Sequence, residues 1–237
     1  MPVPPDTDNL TLNIGACQEI GSVIVTLDGP AGAGKSTAAR LLAQRLGFDF
    51  LDTGAMYRAV AFAGRDAAVD FTSTEQVQRL LATVQLEMSP GRVLLNGRDI
   101  TELIRTPEIT QRSRPVADSA PVRAFLGDLQ RRLAIGRNLV TEGRDQGTVV
   151  FPQAECKFFL TARDEIRARR RHQELVKRGT SISLEEVLKA QRERDARDAA
   201  RTIAPMKPAA DAIVIDSSAL SLEQMVDLLE RHVRSRR

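Results

Sequence analysis

The chain has no tryptophan, one tyrosine and only 4% aromatic residues, so it is poorly supplied with the stacking platforms that hold single-stranded bases. It has only two cysteines, Cys17 and Cys156. They lie far apart with no zinc spacing, and Cys156, inside the apolar run Cys156-Lys-Phe-Phe-Leu160, reads as a buried, reduced thiol. No apolar run approaches the length of a membrane span. The first twenty residues carry acids, no basic residue and no continuous apolar core, which reads against a secretory signal and for the cytoplasm.

What is present is ordinary for a globular protein: 42% apolar and 27% charged residues in a chain of 237. That length buries one sizeable core with small appended lobes. Residues 1–21, with Pro2, Pro4 and Pro5 beside polar neighbours, read as a loosely attached extension without assigned function. The rest, 22–237, is expected to be a single domain. The net charge is only +3, but arginines crowd between Arg163 and Arg201. Such crowding suits a polyanionic partner, a nucleotide or a nucleic acid, whereas the bland reading of a charged helix is a solvated, salt-bridged face.

Gly29-Pro-Ala-Gly-Ala-Gly-Lys-Ser36 has the spacing Gly-x-x-x-x-Gly-Lys-Ser. In such a loop backbone N–H groups surround phosphates, the lysine reaches the terminal phosphates and the serine reaches magnesium. The β-branched run Ser22–Leu27 before it suits a buried parallel strand, and Ser36–Leu46 after it has helical spacing and stops at Gly47. Glycine and alanine alone could make a tight strand-to-helix turn, but that does not account for Lys35 followed by Ser36.

Beyond the loop, Phe48–Leu51 is a short strand, and Thr53 is expected to cap a helix carrying Met56, Tyr57 and Arg58. A lone helical arginine is most often solvated. Arg58, however, follows the turn where phosphoryl-transfer folds receive their second substrate. A helix over Thr74–Thr83 gives way to three short strands between Val84 and Ile100, with Asn96-Gly97 as a hairpin turn. Thr106–Arg137 reads as helical, broken at Pro115 and restarted near Pro121, and Arg123 stands near that restart. Asn138–Thr141 reads as a central strand opening into Glu142-Gly-Arg-Asp-Gln-Gly-Thr148, at the edge where open α/β sheets bind ligands. There Arg144 can grip a phosphate with two bonds and Asp145 can accept from an amino group, although a structural ion pair capping a turn would look the same. Helices over Asp164–Arg178, ended by Gly179, and from Ser183 through Arg201 follow. A strand at Ala212–Ile215 and a terminal helix from Ser221 to Val233 complete the chain. The alternation implies a parallel sheet covered on both faces.

In this order the motifs resemble those of bacterial cytidylate kinases. The resemblance runs from about Val23 to the last helix and rests on five stretches: Asp28–Ser36, Leu51–Arg58, Ile104–Glu108, Glu142–Pro152, and Glu193–Arg201 with Ala204-Pro205. It implies an α/β P-loop NTPase-type sheet with a nucleotide-monophosphate lobe over about 53–120, enlarged by a small antiparallel sheet at about 84–100, and a lid over about 163–180. The implied activity is transfer of a phosphoryl group from ATP to CMP or dCMP, a step of pyrimidine nucleotide metabolism, by a cytoplasmic monomer. The alternatives are a kinase of another small acceptor, such as UMP or shikimate, and a P-loop module that binds nucleic acid or a partner protein.

The resemblance also carries site residues. ATP is expected on Gly29, Pro30, Ala31, Gly32, Ala33, Gly34, Lys35, Ser36 and Thr37, with Mg²⁺ on Ser36, partly through water and the ATP phosphates. Cytosine maps to Thr53, Arg123, Asp145 and Arg201, the acceptor phosphate to Arg58 and Arg144, and the sugar to Arg194 and Asp198. Lys35, Arg58 and Arg144 are the expected catalysts, and Arg163, Arg167 and Arg170 the lid arginines. Two departures stand out: a sugar-contact serine falls near Arg114, with Ser113 adjacent, and Gln146 replaces an apolar residue.

Overall fold

The computed structural model describes residues 22–89, 91–177 and 179–236; the expected extension over 1–21, with Cys17, and Pro90 and Arg178 lie outside them. Eight strands and eight α-helices are present among the described residues, with one short 3-10 turn and one π-turn. The central sheet has strand order β2-β6-β1-β7-β8, where β1 is Ile24–Asp28, β2 Asp49–Asp52, β6 Leu139–Glu142, β7 Cys156–Thr161 and β8 Ile213–Asp216. Its pairings are all parallel. β6 is interior but not central; that place belongs to β1, whose register Leu27↔Glu142 on one side and Asp28↔Phe159 on the other sets the ends of three strands side by side.

Alternate strand residues feed two cores, as a sheet covered on both faces requires. On one face Val25, Leu27, Val140, Phe158 and Leu160 pack against α1 (Lys35–Leu46) and α8 (Leu222–Arg234) through Leu42, Val226 and Leu229. On the other, Leu51 and Leu139 meet α2 (Thr53–Asp66), α3 (Thr74–Thr83), α4 (Pro107–Asp118) and α5 (Ala120–Ala134) through Met56, Val60, Ile109 and Leu126. Cys156 is buried on β7, and burial pushes its thiol pKa up.

The inserted sheet is antiparallel, β3 (Leu86–Ser89), β4 (Arg92–Leu95) and β5 (Arg98–Asp99) in that order. Asn96 and Gly97 turn β4 into β5 with φ of 49° and 77°, the pair of positive values a two-residue hairpin turn needs. It packs through Leu86, Val93 and Leu95 onto the core that α2 and α4 share.

Two local expectations are corrected. Thr53 does not cap α2; Asp52 does, accepting from the Ala55 N–H, and Thr53 is the first residue inside the helix. An aspartate at the end of a strand reaches the same orphan donor as a threonine one residue later. Nor does the chain break at Pro115. α4 runs through it to Asp118 and the break comes at Ser119. Proline forfeits one hydrogen bond but already has a helical φ, and fully buried Ile109 and Val116 keep that helix face docked.

Towards the C-terminus, α6 (Asp164–Lys177) and α7 (Leu184–Ala200) pack against each other. Capping boxes open α7, from Ser183 and Glu186, and α8, from Ser221 and Gln224. Among the described residues no helix is long and apolar enough to cross a membrane.

Candidate active site

The loop Gly29–Gly34 leaves the carboxyl end of β1 and delivers Lys35 as the first residue of α1. Gly29 has a φ of +134°, and a Cβ there would lie 1.9 Å from the Leu160 carbonyl oxygen on β7; only glycine passes so close to the neighbouring strand. The open N–H groups of the first helical turn and the helix dipole then favour an anion over the loop.

Lys35 is 4% exposed and its ammonium donates to the loop's own Pro30 carbonyl at 2.8 Å. Burial, reinforced by the positive Arg144, pushes its pKa down to about 7 against the opposing pull of Glu142. A buried ammonium with one hydrogen bond is under-solvated, and a polyphosphate is the ligand that would relieve it.

Ser36 donates to the Glu142 carboxylate at the end of β6, 3.0 Å away. Hydroxyl and carboxylate are hard oxygen donors, the chemistry that suits Mg²⁺. Among the described residues no three His, Cys, Asp or Glu side chains form a metal cage. An ion held here would therefore take its remaining oxygens from phosphates and water, as Mg²⁺ usually does. Glu142 was not assigned a role from the sequence. The available signal was an acid ending a strand parallel to the one that feeds the loop.

Near the loop stands a set of guanidinium groups, of which Arg144 and Arg194 act on the charge of Lys35. Arg58 on α2 has an Nε with no partner in the interior, and its nearest carboxylate, Asp52, is 3.6 Å away. Orphaned buried donors are costly unless a ligand completes them. Arg144 donates from Nε to Asp198 on α7 at 3.1 Å, and Arg201, just past α7, reaches the same carboxylate at 2.7 Å. Arg194 stands 3.9 Å from it, and burial beside Arg144 pushes the Arg194 pKa down to about 10. Asp198 thus gathers three arginines, and Arg201 is tied further to Asp118 at the end of α4, 2.7 Å away. Arg114 is exposed on α4, and its charge adds to the repulsion that Arg194 feels.

Beside them Asp145 is 5% exposed and its Oδ2 accepts from Arg123, which also donates to the Ala117 carbonyl at 2.9 Å and lies 5.8 Å from the Tyr57 ring. Burial pushes the Tyr57 phenol up to about 12, so it stays protonated. Thr53 donates to the Glu142 carbonyl at 2.7 Å, which leaves its oxygen lone pairs able to accept.

Of the three arginines expected in a lid, two brace the loop from below. Arg167 is buried and donates to the Ala31 carbonyl at 2.9 Å, to Ala162 at 3.0 Å and to Asp164 and Asp195. Arg170 donates to Ser217, whose hydroxyl donates to Ala33 at 3.0 Å. Arg163 is exposed at the start of α6. The α6–α7 pair is therefore wired to the loop backbone through two side chains, a link no local pattern announces.

The family model described as "Cytidylate kinase" matches residues 25–235. The chain is 46% identical over 212 residues to a "Cytidylate kinase" of Rhodopirellula baltica, covering 90% of this chain and 93% of that protein. It is also 46% identical over 206 residues to one of Carboxydothermus hydrogenoformans, covering 85% and 93%. In architecture it is similar to an uncharacterized protein from Eubacterium ventriosum, with a TM-score of 0.51 at 12% identity over 91% of this chain and 99% of that one; at that identity the likeness concerns the fold alone.

Proposed function

The chain belongs to the cytidylate kinase family, and from that premise we propose that it transfers the γ-phosphoryl group of ATP to CMP or dCMP, giving ADP and CDP or dCDP. The observation that carries the reading is the pairing of a phosphate loop with a nearby group of arginines and one buried, arginine-held carboxylate, Asp145. The loop alone would serve any nucleoside triphosphatase. An acceptor bearing both a phosphate and an amino-substituted base is what those arginines and that carboxylate call for. The same reading takes the enzyme to be a cytoplasmic monomer.

In this mechanism an acceptor phosphate oxygen, ionised near neutral pH, attacks the γ-phosphorus and the β–γ bridging oxygen leaves with ADP; no protein base is needed. Phosphoryl transfer depends on positioning and charge neutralisation. Lys35 moves its hydrogen bond from Pro30 to the β- and γ-phosphates. Arg58 and Arg144 hold the acceptor phosphate in line and offset the charge of two phosphates brought together. Ser36 and Glu142 would hold Mg²⁺, which supplies Lewis-acid neutralisation of the triphosphate. Arg194 and Asp198 face the sugar. Asp145, with Thr53, Arg123 and Arg201 about it, accepts from the cytosine amino group, and the carbonyl that uracil has there would leave the carboxylate unpaired. Arg167 and Arg170 keep the loop in shape from α6, and Arg163, exposed at the start of α6, closes over ATP and helps keep water from the γ-phosphate.

Coupled ADP release with CMP, dCMP, UMP, AMP and shikimate tests the assignment. CMP or dCMP should be used fastest, and an equal or greater rate with a non-cytidine acceptor would overturn it. Ser36→Ala should raise the half-saturating Mg²⁺ concentration by about tenfold or more, the scale of losing one metal-orienting group. An unchanged Mg²⁺ titration would take Ser36 out of the metal site.

A further inference from the structure

The segment that carries Arg144 and Asp145 continues as a single turn of π-helix, Gln146–Val150. Its carbonyls are engaged: Asp145 accepts from Val149 at 2.9 Å and Gln146 from Phe151 at 2.7 Å. The first N–H groups of any such turn have no partner within it and need a cap. By position the cap would be Asp145, yet its side chain makes no capping bond and goes instead to Arg123. The bonds come from across the sheet. Asp28, the last residue of β1, accepts from the Gln146 N–H at 2.9 Å with one carboxylate oxygen and from the Gly147 N–H at 2.7 Å with the other.

We propose that Asp28 is a positioning residue for acceptor recognition: by capping the π-turn in place of Asp145, it frees the Asp145 carboxylate to face the acceptor base and fixes the direction of Arg144.

Three observations support this. The carboxylate is 4% exposed, and burying an ionised group is costly unless strong acceptor bonds compensate; two backbone N–H groups on one carboxylate supply such bonds. Burial lifts its pKa to about 6, opposed by those two N–H groups, so it is largely ionised at neutral pH. The segment is also pinned from its other side. Gln146 is 1% exposed and accepts from the Thr141 hydroxyl at 2.9 Å, and its side chain lies so close over Gly143 that a Cβ there would be 2.8 Å from its Cγ. A one-residue shift of the turn would break both ties, so Arg144 and Asp145 are held between two anchors. Asp28 directly precedes Gly29, which places the same anchor at the root of the phosphate loop and joins the two halves of the site by one side chain.

The inference rests on the reading that Arg144 and Asp145 serve the acceptor, and the test separates the two. Asp28→Asn keeps the shape but retains only one acceptor oxygen, turning an amide N–H towards a backbone N–H. It should raise the KM for CMP by about tenfold or more, as small misplacements of positioning groups do, with the KM for ATP changed by less than about twofold. Amide hydrogen exchange over 145–150 should speed up in the same variant, a readout that does not depend on the substrate. Asp28→Ala, with no acceptor, should go further in the same direction; if it does not fold, the asparagine variant still decides. A wild-type enzyme that prefers another acceptor overturns the functional reading, and that acceptor then replaces CMP in the comparison. Equal rises in KM for CMP and ATP, or unchanged exchange over 145–150, would overturn the inference itself.

Discussion

Lys35→Met is expected to lower turnover by about 10²- to 10³-fold, the scale of losing one preorganised charge-stabilising donor, while the melting temperature holds or rises. The two halves have one cause. The ammonium is 4% exposed, makes one hydrogen bond to Pro30 and has its pKa pushed down to about 7 by burial and by Arg144. A group so placed costs stability in the resting protein, and methionine fills the same volume without the charge. What methionine cannot do is follow the γ-phosphate as negative charge redistributes during transfer. CMP binding, which the proposed mechanism assigns to Arg58, Arg144 and Asp145, should change little. Normal turnover in the variant would remove Lys35 from the chemistry, and a large drop in melting temperature would make it a structural residue.

The contrast between Lys35 and its neighbours shows what a linear reading can reach. The loop, its strand and its helix were legible because their signal is local: the Gly-x-x-x-x-Gly-Lys-Ser spacing lies between a β-branched run and a helical period. The capping boxes at Ser183 and Ser221 and the Asn96-Gly97 hairpin were legible for the same reason. Where neighbouring residues compete for one local role, the sequence does not separate them: Asp52 rather than Thr53 caps α2, and the helix ends at Ser119 rather than at Pro115. The contacts that organise the site span the chain. Ser36 meets Glu142, Asp28 meets Gln146 and Gly147, and Arg167 meets Ala31. Each needs the parallel order β6-β1-β7 to bring distant strand ends together, and no short-range pattern encodes that order. Arginine-rich stretches are the hardest case, since the same composition serves Arg167, buried against the loop, and Arg169, exposed two residues along the same helix.

Asp145→Asn should produce the second large effect, and it separates recognition from chemistry. The carboxylate and Arg123 are both buried, their side chains 7% and 8% exposed, so truncating Asp145 would strand a guanidinium in the interior without this carboxylate at a cost of about 3–5 kcal/mol. Asparagine keeps an oxygen for Arg123 and confines the damage. It also changes what the acceptor base meets, because an amide presents two donors where a carboxylate only accepts. Cytosine offers an amino group at the position in question and uracil a carbonyl, so the substitution penalises one and can accommodate the other. We expect kcat/KM for CMP to fall by about 10²-fold or more, the range in which an unpaired buried polar group discriminates between substrates. UMP should lose far less, contracting the CMP-to-UMP ratio by at least about tenfold, with the KM for ATP nearly unchanged. Parallel losses with CMP and UMP would mean that Asp145 only supports Arg123. Unequal losses would place base selection on a residue 110 positions from Lys35, held in place by an aspartate that adjoins the phosphate loop.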